Sequence, residues 1–477
     1  MSSMSDIIKN FLVIGGNTAG LAAANQIRRI RPDAAIVVFE AGKYISYGSC
    51  SLPYYISGAV DRIEKLFIYS KDYFEKEKNI KILLNHRITE VNAYKKEITA
   101  SCVFDSSLDG NLTENKTEVF PYDRLVICSG ASPVRFDHIP GSGSENVFYF
   151  RSVDDALALK EYLRKKDPQS ASIIGGGNIG MLLADALGKI GLQINIIEAK
   201  QKIFAGYEDE ITDILTDAIT SQGPKLHTGL RLKQIKTSAA DRLAYSAVVE
   251  DSSGNGKEME IDSDIFIIAA GIKANNQFLN NSSLDMSKSG ALKVSANMQT
   301  SHPGIFAAGD CCLVKNIVTG VYDFIPTAQN ALKTGRIAGA NAAGSGEYFP
   351  GSAGTKVDKL FGFEISKTGI DSETAYAFRF DFIKVSGTFY SHARTVPGAE
   401  RLTISVIADK KTRQVLGAQI IGKEGAGKRI DVFAASITSG MKVDDLYFLD
   451  TSYSPYISTM PDPVNQICGS AVLLLNK

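Results

Sequence analysis

The sequence predicts an α/β protein in which two similar units are followed by a smaller α+β domain. Residues 9–40 and 170–198 share one pattern, namely an apolar strand, a Gly-rich turn, a helix and a second strand that ends in a glutamate. From about residue 350 the sequence changes to short apolar runs such as 402–408 and 415–422, which are typical of β-strands. Because one hydrophobic core rarely supports 477 residues, we expect several domains.

In the first unit, an apolar strand leads into a Gly-rich turn, an Ala-rich helix over 21–30 and a second strand over 35–39. Glycines permit a tight turn and close backbone approach, so a pyrophosphate can lie at the N-terminus of the helix. The acid that closes the second strand can bind the adenosine ribose hydroxyls. This is the pattern of a Rossmann-like dinucleotide-binding domain. The predicted contacts are Gly15, Gly16, Thr18, Ala19, Gly20 and Glu40.

The second unit repeats this arrangement, with a helix over 181–190 and a second strand that ends at a glutamate. One glycine motif would be weak evidence. Chance is a poor explanation for two such motifs, each with a glutamate about twenty residues further on. Two more buried strands follow, and they end at Gly271 and Asp310. The predicted contacts of the second unit are Gly175, Gly177, Asn178, Ile179, Gly180 and Glu198.

Composition argues against several classes of function. Lys and Arg together number 52, as do Asp and Glu, so no overall basic charge indicates a nucleic-acid partner. No run approaches the roughly 18 apolar residues needed to cross a membrane. The N-terminus lacks the basic and apolar regions of a signal peptide. The six cysteines lack metal-binding CxxC spacing, so we expect no metal site and a cytoplasmic protein.

Cys50 stands alone after the first unit, in the segment Ser49-Cys50-Ser51-Leu52-Pro53. In the usual redox pair a second cysteine would follow after two or four intervening residues, but Pro53 and Tyr55 occupy those positions. A redox-active Cys50 must therefore react with a small thiol, or with oxygen as a sulfenic acid. For the other five cysteines we expect the role of small buried hydrophobes.

These motifs resemble the pyridine nucleotide-disulfide oxidoreductases over nearly the full length, and most closely the branch that uses a single cysteine. That branch contains coenzyme A-disulfide reductases, NADH-dependent persulfide reductases, and NADH oxidases and peroxidases. The resemblance rests on the segments 49–55, 125–133, 305–311 and 335–339. The segments 416–422, 450–455 and 462–465 also contribute, and they are similar to the branch's dimerisation domain.

The resemblance implies an FAD-binding domain over 1–150 and 266–345, an NAD(P)H-binding domain over 151–265 and a dimerisation domain over 346–477. The protein would be a homodimer. Beyond the first glycine turn, FAD would contact Asp310 through its ribityl chain, and a helix would direct its positive N-terminus at the isoalloxazine. These further contacts are Gly130, Gly271, Asp310, Pro326, Thr327 and Ala328.

The resemblance also implies the reaction. Reducing equivalents would pass from the nicotinamide through FAD to Cys50, whose thiolate attacks a small disulfide or persulfide. Glu198 favours NADH as the donor, whereas the positive charges of Lys200 and Lys202 could offset this preference and leave NADPH as an alternative donor. Tyr453 would act across the dimer interface on Cys50 of the partner subunit. Coenzyme A disulfide, coenzyme A persulfide or polysulfide is the expected substrate, with contacts to Gln26, Arg29, Ser46 and Ser49.

One position separates sulfur reduction from the reaction of the oxidases and peroxidases. Those enzymes, which use a cysteine sulfenic acid, carry a histidine where this chain has Thr18. Threonine cannot transfer protons at neutral pH as histidine does, so the sequence favours sulfur reduction.

Several departures from the branch leave alternatives open. Its reductases have a tyrosine pair where this chain has Thr395-Val396, and Tyr456 replaces a usual proline. Asn178 and Leu182 stand where a gating tyrosine and a glutamate are common. Because one phenol is missing, an NADH oxidase or peroxidase, or an FAD-dependent electron-transfer reductase for a small redox protein, remains an alternative.

Overall fold

The computed structural model describes residues 8–102, 116–254, 256 and 258–477. Its helices, numbered in chain order, are α1 (Thr18–Ile30), α2 (Leu52–Ile56), α3 (Val153–Lys166), α4 (Asn178–Lys189), α5 (Asp209–Thr220), α6 (Ala328–Ala342), α7 (Ser372–Ala377), α8 (Ala426–Ser439), α9 (Val443–Tyr447) and α10 (Pro463–Leu475). Within these described residues, no helix is both long enough and apolar enough to cross a membrane.

The strands form two parallel sheets, one large antiparallel sheet and several small antiparallel pairs or triplets. They are β1 (Asn10–Ile14), β2 (Ala35–Phe39), β3 (Lys81–Leu83), β4 (His86–Asn92), β5 (Glu97–Cys102), β6 (Lys116–Pro121), β7 (Arg124–Ile127), β8 (Ala131–Pro133), β9 (Val147–Tyr149), β10 (Ser170–Ile174), β11 (Gln193–Glu198), β12 (Lys225–Thr228), β13 (Leu230–Thr237), β14 (Ala244–Asp251), β15 (Glu258–Asp262), β16 (Ile265–Ile268), β17 (Ile272–Ala274), β18 (Ile305–Ala307), β19 (Val314–Lys315), β20 (Tyr322–Asp323), β21 (Lys356–Leu360), β22 (Phe363–Gly369), β23 (Phe382–Tyr390), β24 (Arg401–Asp409) and β25 (Val415–Gly422).

The two predicted units each contain a five-stranded parallel sheet. The first has the order β18-β7-β1-β2-β3 and the second the order β12-β11-β10-β16-β9. Their central strands, such as β1, β7 and β16, are mostly buried apolar runs, because both faces of a parallel sheet are covered. Helix α1 begins three residues earlier than the sequence predicted, since Asn17 has an extended backbone and leaves Thr18 as the first helical residue.

The second half of the first unit lies beyond the second unit in the sequence. Strand β18 pairs with β7, and α6 crosses α1 so closely that a Cβ on Gly335 would lie 2.3 Å from the Ala19 carbonyl oxygen. The boundaries predicted at 150 and 265 each need to move by a few residues. Because β9 and β16 pair within the second sheet, boundaries near 146 and 269 fit the strand pairing better.

The C-terminal region folds as the predicted α+β domain, so the predicted fold class is confirmed. Its antiparallel sheet has the order β21-β22-β25-β24-β23, and α8 and α10 bury one apolar core against it with residues such as Phe433 and Ile467. Strand β23 begins at Phe382, because α7 ends at Ala377 and the chain turns before it enters the strand.

Candidate active site

A continuous cleft of about 4970 Å³ is lined by the two glycine turns, by Cys50 and by the start of β21. Both turns lie at the carboxyl ends of parallel strands, where α/β proteins usually bind ligands. Within the described part of the chain, no group of His, Cys, Asp or Glu side chains has an arrangement that could hold a metal ion.

The first glycine turn holds its acid in a fixed orientation. Glu40 Oε2 accepts a hydrogen bond from the Gly16 amide at 2.8 Å, and Oε1 accepts one from the Gly42 amide at 2.8 Å. A Cβ on Gly20 would lie 1.9 Å from the Gly15 carbonyl oxygen, so only glycine lets α1 pack this closely on the turn. The predicted residues Thr18 and Ala19 line the cleft, whereas Gly16 and Gly20 support the turn from behind.

The second glycine turn repeats this geometry. Glu198 accepts hydrogen bonds from the Gly176 amide at 2.7 Å and from the Lys200 amide at 2.8 Å. A Cβ on Gly180 would lie 2.0 Å from the Gly175 carbonyl oxygen, while Gly177 faces open space. Gly175, Gly177, Asn178 and Ile179 line the cleft. Both turns therefore fit an adenine dinucleotide, with the acid free to bind ribose hydroxyls.

The other residues predicted to contact FAD line the same cleft. Gly130 has a left-handed backbone (φ 70°), and no protein atom lies within 4 Å of a Cβ placed there. The side chain of Thr327 caps α6 by accepting a hydrogen bond from the Asn330 amide at 3.2 Å. The cleft lining includes Gly130, Gly271, Asp310, Pro326, Thr327 and Ala328.

Asp310 forms an ion pair that the sequence did not reveal. Arg151 Nη2 donates to its Oδ2 at 2.6 Å, and both side chains are largely buried in the cleft wall. The two residues are 159 positions apart in the sequence. No local pattern connects them, so only the folded chain shows that the carboxylate has a fixed cationic partner.

Cys50 is exposed in a one-turn 3-10 helix, Ser49–Ser51, that leads directly into α2. It lines the cleft together with Ser49 and Thr18. The other five cysteines are buried, which confirms the expectation that they act as small hydrophobes. Cys128 also lines the cleft but is buried, so Cys50 is the exposed thiol that can meet a substrate there.

Tyr54 lies four residues after Cys50 in the same wall of the cleft. Partial burial raises the pKa of its phenol, and the nearby carboxylates Asp358 and Asp185 raise it further. A phenol is protonated at neutral pH even at its ordinary pKa, so Tyr54 can donate a hydrogen bond. The segment that contains Tyr54 was recognised in the sequence, but the effect of Asp358 on it depends on the fold.

The residues predicted to contact coenzyme A line the same cleft as Cys50. Arg29 is exposed near the end of α1, and Ser46 is buried with an unusual left-handed backbone (φ 53°). The structure adds two exposed cations of the neighbouring helix α6, Lys333 and Arg336, which also line the cleft. Their spacing of three places them on one face of a helix, and this could have been read from the sequence. The four predicted contacts are Gln26, Arg29, Ser46 and Ser49.

Tyr453 does not line the cleft of its own subunit and is 49% exposed. It belongs to an apolar surface formed by the C-terminal tail, in which Phe448 is 81% exposed and Met460 is 77% exposed. Exposed apolar patches of this kind usually mark a protein–protein interface. Within one subunit, the structure does not bring Tyr453 and Cys50 together.

Comparison with known proteins agrees with this architecture. Residues 9–335 match the pyridine nucleotide-disulphide oxidoreductase domain, and residues 359–463 match the dimerisation domain of the same proteins. The NAD(P)H coenzyme A polysulfide/persulfide reductase of Pyrococcus horikoshii is 31% identical over 462 residues, which cover 96% of this chain and 97% of that protein.

Two further relatives represent the chemistries of the single-cysteine branch. The NAD-dependent persulfide reductase from A. fulgidus has a solved structure that is 33% identical, with a TM-score of 0.89 and coverage of 97% of this chain and 83% of that chain. An NADH oxidase of Enterococcus faecalis is 28% identical over 465 residues, which cover 97% of this chain and 99% of that protein. The chain is thus a member of the pyridine nucleotide-disulphide oxidoreductase family, whose enzymes use FAD and NAD(P)H.

Proposed function

We propose that this enzyme passes electrons from NADH to a small disulfide or persulfide through Cys50. The observation that carries the proposal is the exposed Cys50 thiol in the cleft, while the other five cysteines are buried. A thiol without a resolving cysteine must form its mixed disulfide with a small substrate. Coenzyme A disulfide, coenzyme A persulfide or polysulfide is the class that fits best.

The residues of the first glycine turn, with Asp310 and the N-terminus of α6, would hold FAD, and those of the second turn would hold the nicotinamide nucleotide. The chemistry that FAD supplies when bound is to accept a hydride and to transfer two electrons to sulfur. Glu40 and Glu198, each fixed by two backbone amides, would orient the two adenosine riboses. Gly177 and Gly130 leave open space for the ligands.

The Cys50 thiolate would attack one sulfur of the substrate disulfide, form a new S–S bond and expel the other half as a thiolate. The phenol of Tyr54, which keeps its proton, can stabilise this leaving group from within the subunit. Tyr453 would do so across the dimer interface. Two electrons then split the mixed disulfide, so the second thiol leaves and Cys50 returns to the thiolate.

Recognition of coenzyme A would rest on the basic surface where α1 and α6 cross. Arg29, Lys333 and Arg336 all line the cleft and are exposed. Guanidinium and ammonium groups bind phosphates through charge-assisted hydrogen bonds. This surface therefore suits the phosphates of a nucleotide-bearing thiol better than a small neutral disulfide.

The first test measures NADH oxidation with coenzyme A disulfide, polysulfide, oxygen and peroxide in parallel. We expect the sulfur compounds to be the faster acceptors, and a thiol adduct on Cys50 that disappears on reduction with NADH in mass spectra of the intact protein. Arg29→Ala should raise KM for coenzyme A disulfide about threefold to tenfold but leave the rate with polysulfide unchanged, since polysulfide has no phosphates.

The control for this charge removal is Lys410→Ala, because Lys410 pairs with Asp381 outside the cleft. It should leave both rates unchanged. If oxygen or peroxide were reduced faster than every sulfur compound, the NADH oxidase reading, which the relatives of that name support, would replace this proposal.

NADH is the proposed donor because Glu198 would repel a 2′-phosphate and because one of the two lysines near it, Lys202, is paired elsewhere, whereas Lys200 lines the cleft. Lys202 Nζ lies 2.9 Å from Asp209 and 3.2 Å from Asp213, and its side chain does not line the cleft. We expect kcat/KM to be at least about tenfold higher for NADH than for NADPH. Glu198→Gln should narrow this ratio by relieving repulsion of a 2′-phosphate, whereas Lys202→Ala should leave it unchanged. A lower KM for NADPH than for NADH in the wild type would contradict the assignment.

The dimerisation domain supports a homodimer. We propose that the exposed tail around Tyr453 covers the partner subunit's cleft, because the apolar side chains of this tail need burial. Sedimentation at nanomolar concentration, with activity measured on the same samples, checks this arrangement. A fully active monomer would rule it out.

A further inference from the structure

The side-chain amide of Asn178 is bound at both ends. Lys356 Nζ donates to its Oδ1 at 3.2 Å, and its Nδ2 donates to Asp358 Oδ2. Asn178 is the first residue of α4, directly after the second glycine turn, whereas the other two residues lie on β21 of the C-terminal domain. All three side chains line the cleft.

Lys356 and Asp358 lie where both can bind one planar group. Lys356 and Asp358 are two positions apart on a strand, so they point to the same side, while the intervening Val357 is exposed. Among the described residues, neither forms a salt bridge within 4 Å. Lys356 also lies over the ring of Tyr207, with Nζ 5.5 Å from the centroid.

Because Lys356 and Asp358 are largely buried, their charged forms need the hydrogen bonds of the amide between them. Burial lowers the pKa of Lys356 to about 8 and raises the pKa of Asp358. A buried charge is costly unless a hydrogen-bonding partner compensates it. In the free enzyme Asn178 is that partner, since its carbonyl accepts from the lysine and its NH2 group donates to the carboxylate.

We propose that Lys356 and Asp358 form a recognition pair for a carboxamide, which Asn178 fills in the free enzyme and the nicotinamide carboxamide fills when the nucleotide binds. Both groups have the same C=O acceptor and NH2 donor. Asn178 lies at the turn that would hold the pyrophosphate. Rotation about its two side-chain bonds would move its amide aside as the nucleotide enters. The inference rests on the proposed placement of the nucleotide at the second turn.

Equilibrium calorimetry on the FAD-loaded protein tests this pair with three oxidised or redox-inert ligands. They are NAD⁺, its 3-acetylpyridine analogue, which keeps the carbonyl but lacks the NH2 group, and ADP-ribose, which lacks the whole ring. We expect the wild type to bind NAD⁺ about tenfold more tightly than the analogue. Asp358→Ala should weaken NAD⁺ about tenfold and remove this preference, and Lys356→Met should weaken both ligands.

Asn178→Ala should tighten NAD⁺ binding, because it removes the competing amide. Affinity for ADP-ribose should stay constant in Asp358→Ala and Lys356→Met. The control is Lys423→Met, because Lys423 pairs with Glu400 away from the cleft, and it should change nothing. Equal losses for NAD⁺ and ADP-ribose, an unchanged preference in Asp358→Ala, or weaker NAD⁺ binding by Asn178→Ala would each overturn the pair. If the wild type failed to bind ADP-ribose, the placement of the nucleotide itself would be wrong.

Discussion

Cys50→Ser lowers the rate of disulfide and persulfide reduction by about 10³-fold or more, while NADH-dependent reduction of a dye continues. The hydroxyl of serine is not ionised at neutral pH and cannot form an S–S bond with the substrate. Dye reduction continues because a dye takes electrons without a thiol. Steady-state assays with coenzyme A disulfide, polysulfide and a dye measure the three rates on one preparation.

The matched control for this change is Cys102→Ser. Cys102 is buried in β5 and does not line the cleft, so its replacement should leave all three rates close to those of the wild type. Absorbance of the flavin should be the same in both variants and should show that FAD is bound. Were Cys50→Ser to keep the full rate with every sulfur substrate, the thiol mechanism would fail, and electron transfer to a small redox protein would take its place.

The parts of this protein that could be predicted from the sequence are those encoded over short distances. The two glycine turns, their glutamates and the helices behind them follow from spacing within about thirty residues. The solitary position of Cys50 was likewise visible, because the absence of a partner at positions 53 and 55 is a local fact. The structure contains each of these features in the predicted order, although both helices begin three residues earlier than predicted.

The parts that could not be predicted depend on contacts between distant segments. The ion pair of Arg151 with Asp310 joins residues 159 positions apart. The bond from Lys356 to Asn178 spans 178 positions. Hydrophobic periodicity contains no information about such pairs, since each partner alone reads as an ordinary polar residue. The sequence makes Asn178 a predicted contact of the second glycine turn and a departure from a common tyrosine, whereas its hydrogen bonds to Lys356 and Asp358 depend on the packing of β21 beside α4.

The two glycine turns allow a paired experiment, because one substitution at equivalent positions should remove different ligands. Gly20→Ala places a Cβ 1.9 Å from the Gly15 carbonyl oxygen, and Gly180→Ala places one 2.0 Å from the Gly175 carbonyl oxygen. Each helix must then move away from its turn. We expect the first variant to bind FAD about 10- to 100-fold more weakly and to purify largely colourless.

Gly180→Ala should instead purify yellow, with FAD bound, but should bind NADH and ADP-ribose about 10- to 100-fold more weakly than the wild type. Gly188→Ala is the control in the same helix, because the nearest atom to its new Cβ lies 3.9 Å away and alanine favours helix. Flavin absorbance and calorimetric titration with ADP-ribose separate the two losses. If Gly180→Ala lost FAD while Gly20→Ala kept it, the assignment of the two turns would have to be exchanged, since each clash acts only on the ligand held by its own turn.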